Sequence, residues 1–221
     1  PSSMLIESRG LRPGRYTMRR QSIIQSGIHL STLAKLYAAF VALIFSTILV
    51  SVRTNIPVSN FTRDPTAILE ASPFLGFLST IGVLFWCASA AICFFCVAIL
   101  RSKPDQPELP TFLLYSGLIT AVLLVDDLFR FHDFVFPFVF HIRQEFMYSL
   151  YLLMSLLYLL RFRGFILQTG RLLPLILALS AFGLSVFVDM LPESWLPWHF
   201  LVEDGLKLLG IVNWFGYLMS I

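Results

Sequence analysis

Six stretches of about twenty predominantly apolar residues recur along this chain, and crossing a hydrocarbon core as helix takes about 20 such residues. They run from about His29 to Val52, Phe74 to Leu100, just after Pro110 to His132, Arg143 to Leu160, Leu172 to Met190 and Trp198 to Ser220. Spans of this kind must satisfy their own backbone polar groups, which leaves helices or a closed barrel. Runs of this length, without strand-like alternation, select helices. The predicted fold class is all-α: a polytopic membrane protein with a six-helix bundle over residues 28–221, preceded by a basic tail over 1–27.

Composition agrees. Of 221 residues, 57% are hydrophobic and 13% charged, against about 25% charged in a soluble domain. Mean hydropathy is +0.79. The basic residues sit beside apolar spans instead of forming a solvated stripe with stacking aromatics, which argues against nucleic acid as a partner and for membrane lipid. Cys87, Cys93 and Cys96 fall in one apolar run with no basic neighbour to lower a thiol pKa, so they read as small buried hydrophobes. The first apolar run is too long for the core of a cleavable signal peptide.

Orientation follows from the distribution of cations. Arg9, Arg12, Arg15, Arg19, Arg20, Arg101, Lys103, Arg161, Arg163 and Arg171 share one side of a six-span topology, whereas Arg53, Arg63 and Arg143 occupy the other. The positive-inside rule places both termini in the cytoplasm, and a bacterial inner membrane is the expected location. Between the first two spans, Asp64-Pro65-Thr66 reads as the start of a short interfacial helix, Asp64 capping it and Pro65 opening it. Pro137 breaks an apolar segment after span three, and Arg161 to Arg171 is expected to form a loop.

Given that topology, four helix ends facing the cell exterior carry most of the remaining ionisable residues: Asp126, Asp127, Arg130, His132 and Asp133; His141 and Glu145; Asp189; His199, Glu203, Asp204 and Lys207. Charges inside a bilayer cost about 2.5–3.5 kcal/mol each at a helix centre and persist where they face protein, water or one another. Helical spacing predicts one stripe of Asp126, Arg130 and Asp133 and a second of His199, Glu203 and Lys207. Seven acids face only Arg130, Arg143 and Lys207 as fixed cations. Some of those acids must therefore be protonated or hold something positive.

Three functional classes fit. In the first, Asp126, Asp127, His132, His199 and Glu203 are candidate ligands for a divalent metal (zinc, manganese or iron), with Glu145 or Asp204 as base and Arg130 and Lys207 as charge-pairing groups. The activity would be hydrolysis of a lipid-like substrate near the outer leaflet. In the second, the chain is a non-catalytic subunit of a respiratory or photosynthetic membrane complex, with membrane-protein partners. In the third, the acids relay protons or cations.

Asp126-Asp127-Leu128-Phe129 with His132-Asp133, and the Glu203 to Gly210 segment EDGLKLLG, resemble a group of uncharacterised bacterial multi-span proteins over about the last half of the chain. That resemblance implies a shared site. The chain is more distantly similar to the alkaline ceramidase and adiponectin-receptor superfamily, membrane hydrolases holding zinc through His and Asp. It departs from that superfamily in its six expected spans, in lacking an HxxxH motif in the later spans, and in the membrane face of its site.

Overall fold

A computed structural model of the chain describes residues 30–100 and 108–221. The basic tail over 1–27 and most of the Arg101–Pro110 loop lie outside the described residues. Every regular element among the described residues is helical. The chain divides into two compact units, residues 1–72 and 73–221.

In the first unit, α1 (Leu30–Thr54) is 25 residues long and ends where Asn55 turns to a positive φ of 56°. Its apolar side chains from Leu36 to Val52 are exposed. Two single-turn helices follow, α2 (Ser59–Thr62) and α3 (Pro65–Ile68). Asp64 caps α3 as expected, its Oδ1 accepting from the Thr66 backbone N–H at 2.8 Å, with Pro65 as the first helical residue.

The second unit holds five long helices: α4 (Phe77–Leu100), α5 (Glu108–Phe129), α7 (Gln144–Thr169), α8 (Leu172–Asp189) and α9 (His199–Met219). A π-helical turn (Phe131–Val135) and the short α6 (Phe136–Val139) join α5 to α7. Among the described residues five helices are long and apolar enough to cross a membrane: those over Leu33–Thr54, Phe77–Leu100, Glu108–Phe129, Gln144–Thr169 and Leu172–Asp189. The helix over His199–Met219 is as long, but carries Glu203, Asp204 and Lys207.

Three boundaries differ from expectation. Pro110 does not precede α5 but sits third in it, within the first turn, where the missing N–H has no helical partner to lose. The same helix ends at Phe129, three residues before the expected limit, because Arg130 adopts a left-handed φ of 53°. Finally, α7 continues through Arg161 and Arg163 to Thr169, so the expected loop contracts to Gly170 and Arg171. No proline stands between Leu160 and Gly170, and Gly170, at φ +65°, supplies the left-handed C-terminal cap.

Packing is uneven. The helix α4 lies along both α5 and α9, and α8 lies along α9. Close approach rests on small residues. A methyl group added at Gly210 would stand 2.6 Å from the Phe182 ring, and one at Gly117 3.0 Å from Cys93 Cβ. Cys93 is fully buried there and carries no disulfide, consistent with a small packing residue.

By contrast, the α7 backbone approaches α5 and α8 at few points. Toward its C-terminal end it is bridged by rings: Phe112 lies 5.4 Å from Phe162 and Tyr158 lies 6.1 Å from Trp214. The hydroxyls of Tyr158 and Ser116 share a hydrogen bond of 2.8 Å, and Trp214 Nε1 donates to Thr120 Oγ1 at 2.9 Å. Toward its N-terminal end the bridge is polar. Between the two bridges lies a gap.

Candidate functional site

The end of α5 builds one side of the site. Its last turn carries Asp126 and Asp127, and the left-handed Arg130 followed by the π turn reverses the chain over them. A π turn holds an extra residue per turn, which brings His132 back above Asp126. The His132 backbone N–H donates to Asp126 Oδ1 at 2.9 Å, and His132 Nδ1 stands 2.5 Å from Asp126 Oδ2. On the other edge of the ring, Nε2 lies 3.0 Å from Asp133 Oδ1. Burial works against charge on this imidazole, but the two carboxylates outweigh it and hold its pKa up at about 9. His132 is therefore an imidazolium at neutral pH. It holds the Asp133 carboxyl below its ordinary value in return.

The helix α9 builds the opposite side. His199, Glu203 and Lys207 share a face, and Lys207 Nζ reaches across to donate to Asp127 Oδ1. The Asp127 side chain is only 7% exposed, and its second oxygen has no hydrogen-bond partner among the described residues. Among the described residues the nearest basic nitrogen to the Glu203 carboxylate is His199 Nε2 at 4.0 Å, beyond hydrogen-bonding distance. Ser185 of α8 fixes the backbone beneath it, donating to the Glu203 carbonyl at 3.1 Å.

The first turns of α7 close the site. Tyr148 donates its hydroxyl proton to Asp189 Oδ2 at 2.6 Å, and Gln144 Nε2 donates to the same oxygen at 3.2 Å and to Asp133 Oδ1 at 3.1 Å. These are neutral donors, so Asp189 is solvated by the protein without being neutralised. Tyr151, one turn deeper, approaches the Asp126 carboxylate.

These groups ring one end of a cleft of about 560 Å³ between α5, α7, α8 and α9. Below the ring its walls are apolar, formed by Leu123, Leu152, Leu179, Phe182 and Val186, with the Trp86 indole stacked on Phe182 at 5.6 Å. The cleft thus joins a charged end to a hydrocarbon-like interior. It has the size and mixed lining of a small-molecule site.

Asp126, Asp127, His132, Glu145, Glu203 and Lys207 all line this cleft. His199 does not; it is buried beside it, with Nδ1 unpartnered among the described residues. Asp204 lines a separate, much smaller pocket that shares Asp127 and Lys207 with the cleft. The expected stripe of Asp126, Arg130 and Asp133 does not form, because the helix stops before Arg130. That side chain is 70% exposed and meets only Asp133, at 3.6 Å. His141 lies outside α7, at φ 55°, and so shares no helical face with Glu145. Glu145 is exposed and pairs with Arg143 at 2.8 Å. No three His, Cys, Asp or Glu side chains among the described residues form a group that could hold one metal ion.

Several lining residues carried no sequence prediction: Tyr148, Tyr151, Ser155, Ser185 and Trp86. A signal existed for three of them. Gln144, Tyr148, Tyr151 and Ser155 recur at intervals of four, three and four, which puts them on one face of the helix.

The model of a domain of unknown function, DUF8692, matches residues 34–221. The chain belongs to the DUF8692 family. The DUF8692 match spans every helix that lines the cleft. No curated protein matches the chain. No solved structure matches it either.

Proposed function

We propose that this DUF8692 protein is an integral membrane protein, with α9 as a sixth span and both termini cytoplasmic. Its cleft binds a lipid-like molecule from the outer leaflet of a bacterial inner membrane. The observation that carries this reading is the division of one 560 Å³ cleft into a charged end and apolar walls. An acyl chain would displace nothing polar from the walls, and a polar head would meet the ionised ring without crossing hydrocarbon.

Native mass spectrometry of the purified full chain tests it. The expected result is a lipid adduct of fixed stoichiometry that is lost when Leu152→Trp or Leu179→Trp fills the walls. Adducts that persist unchanged in both variants, or no adduct in the wild type, would sink the reading.

A metal-dependent hydrolase acting on that lipid is the second reading. The close approach of His132 to Asp126 favours it, since imidazole and carboxylate are common metal-ligand types. It requires Lys207 to release Asp127, and Glu203 to swing toward Asp126. The reading as a subunit of a larger membrane complex predicts co-purification with a partner at fixed stoichiometry. The relay reading predicts decay of a pH gradient in proteoliposomes that is lost in Asp127→Asn.

A further inference from the structure

The ionisable groups lining the cleft do not balance. Asp126 is matched by the His132 imidazolium, Asp127 by Lys207, and Glu145 by Arg143. Asp189 and Glu203 remain. Asp189 accepts only from Tyr148 and Gln144, and among the described residues no Lys or Arg pairs with the Glu203 carboxylate. The two acids are electrostatic neighbours. The surplus extends deeper still, because the Asp127 carboxylate, which lines the same cleft and is more than nine-tenths buried, keeps one oxygen without a partner among the described residues after Lys207 has taken the other.

An anionic head would meet Asp189 and Glu203 with no cation free to receive it, and a neutral head would leave both carboxylates without a cationic partner among the described residues. A cationic head supplies what is missing. Its N–H groups would form charge-assisted hydrogen bonds to carboxylates, which are roughly twice as strong as neutral ones. Its chain would extend along Leu123, Leu152 and Leu179, over the stacked Trp86 and Phe182 rings.

We infer that the cleft selects amphiphiles with a primary ammonium head, seated between the Glu203 and Asp189 carboxylates. This rests on the lipid-binding reading of the same cleft and adds the chemical class of the ligand. Tyr148 and Gln144 are the positioning residues: by holding one oxygen of Asp189, they fix the carboxylate that faces the head.

The test is competition binding to the full chain in phosphatidylcholine nanodiscs, with tritiated hexadecylamine displaced by unlabelled hexadecylamine, hexadecanol or hexadecyl sulfate. The amine is expected to displace about tenfold better than the alcohol, a difference of about 1.4 kcal/mol, with the sulfate weakest. In Glu203→Gln and in Asp189→Asn, the advantage of the amine over the alcohol should fall below about threefold. Either variant suffices if the other fails to fold, and the wild-type ranking stands without both. Saturable alcohol binding with no preference for the amine would overturn the charge assignment and leave lipid binding intact. An amine preference unchanged in both variants would overturn the assignment to these two acids. Displacement of the amine by calcium chloride but not by choline chloride at equal ionic strength would make the seat an inorganic cation site and also overturn it. Absence of saturable binding by any of the three would remove the lipid-binding reading itself.

Discussion

Lys207 of α9 donates to the carboxylate of Asp127 on α5, joining two helices whose contacting residues are 80 apart in sequence. The pair sits where the charged end of the cleft meets its apolar walls, so it both anchors α9 and neutralises one of the deep acids.

Removing only one member of that pair should therefore be worse than removing both. Lys207→Met strands Asp127, and Asp127→Leu strands Lys207. Each is expected to cost on the order of 3 kcal/mol, the range for breaking a buried pair. The double variant should recover much of that loss, because no uncompensated charge remains. Thermal unfolding of the four proteins in one detergent gives the coupling energy directly, and additive losses would contradict the pairing.

His132 makes stability depend on pH. Its folded pKa of about 9 exceeds the ordinary value of 6.5. The stabilisation it brings is fully present below about pH 6.5 and is lost as pH rises through 9. The wild type should melt at a lower temperature at pH 10 than at pH 6.5, and His132→Gln should flatten that difference. A variant that keeps the full pH dependence would assign it to another group.

Helix contacts in the second unit depend on one glycine far more than on another six residues away. At Gly210 an added methyl would press on Phe182, whereas at Gly216 it would meet nothing within 4 Å. Gly210→Ala should destabilise by about 1–3 kcal/mol through overpacking. Gly216→Ala should be neutral or stabilising by up to about 1 kcal/mol, since alanine favours helix over glycine. Equal effects in a melting experiment would mean that α8 and α9 do not approach at this point.

Metal content separates the two readings of the charged ring. With Lys207 on Asp127 and no metal-holding group of three among the described residues, purified protein is expected to carry less than one tenth of an equivalent of zinc, manganese or iron by elemental analysis. A full equivalent that falls in both Asp126→Asn and His132→Ala would instead establish the hydrolase reading's ligand set.

The helical architecture was legible because about twenty apolar residues in a row leave few alternatives. So was the meeting of α5 and α9, since charge in an apolar helix needs a partner and one end of each carries such groups, Asp127 on α5 and Lys207 on α9. What sequence spacing could not supply was the break at Arg130. A positive φ at a single arginine ends the helix early, turns Arg130 outward and folds His132 onto Asp126, contacts that no i, i+4 rule generates. The extension of α7 past Arg163 was missed for a related reason. Charges were taken as loop markers, whereas Arg161 packs its guanidinium 5.0 Å from the Phe162 ring and remains helical. Tyr148 and Tyr151 were overlooked because tyrosine counts as aromatic in composition and as polar only once its hydroxyl has a partner.

The stand-off of α7 divides the labour of the fold between two sets of residues. The frame of α4, α5, α8 and α9 closes on backbone proximity and glycine contacts, while α7 is held away by two props, Tyr158 at one end and the Tyr148–Asp189 link at the other. Side-chain length at these positions sets the calibre of the cleft. A family with this layout can retune what fits inside by changing the props, and leave the load on the frame untouched.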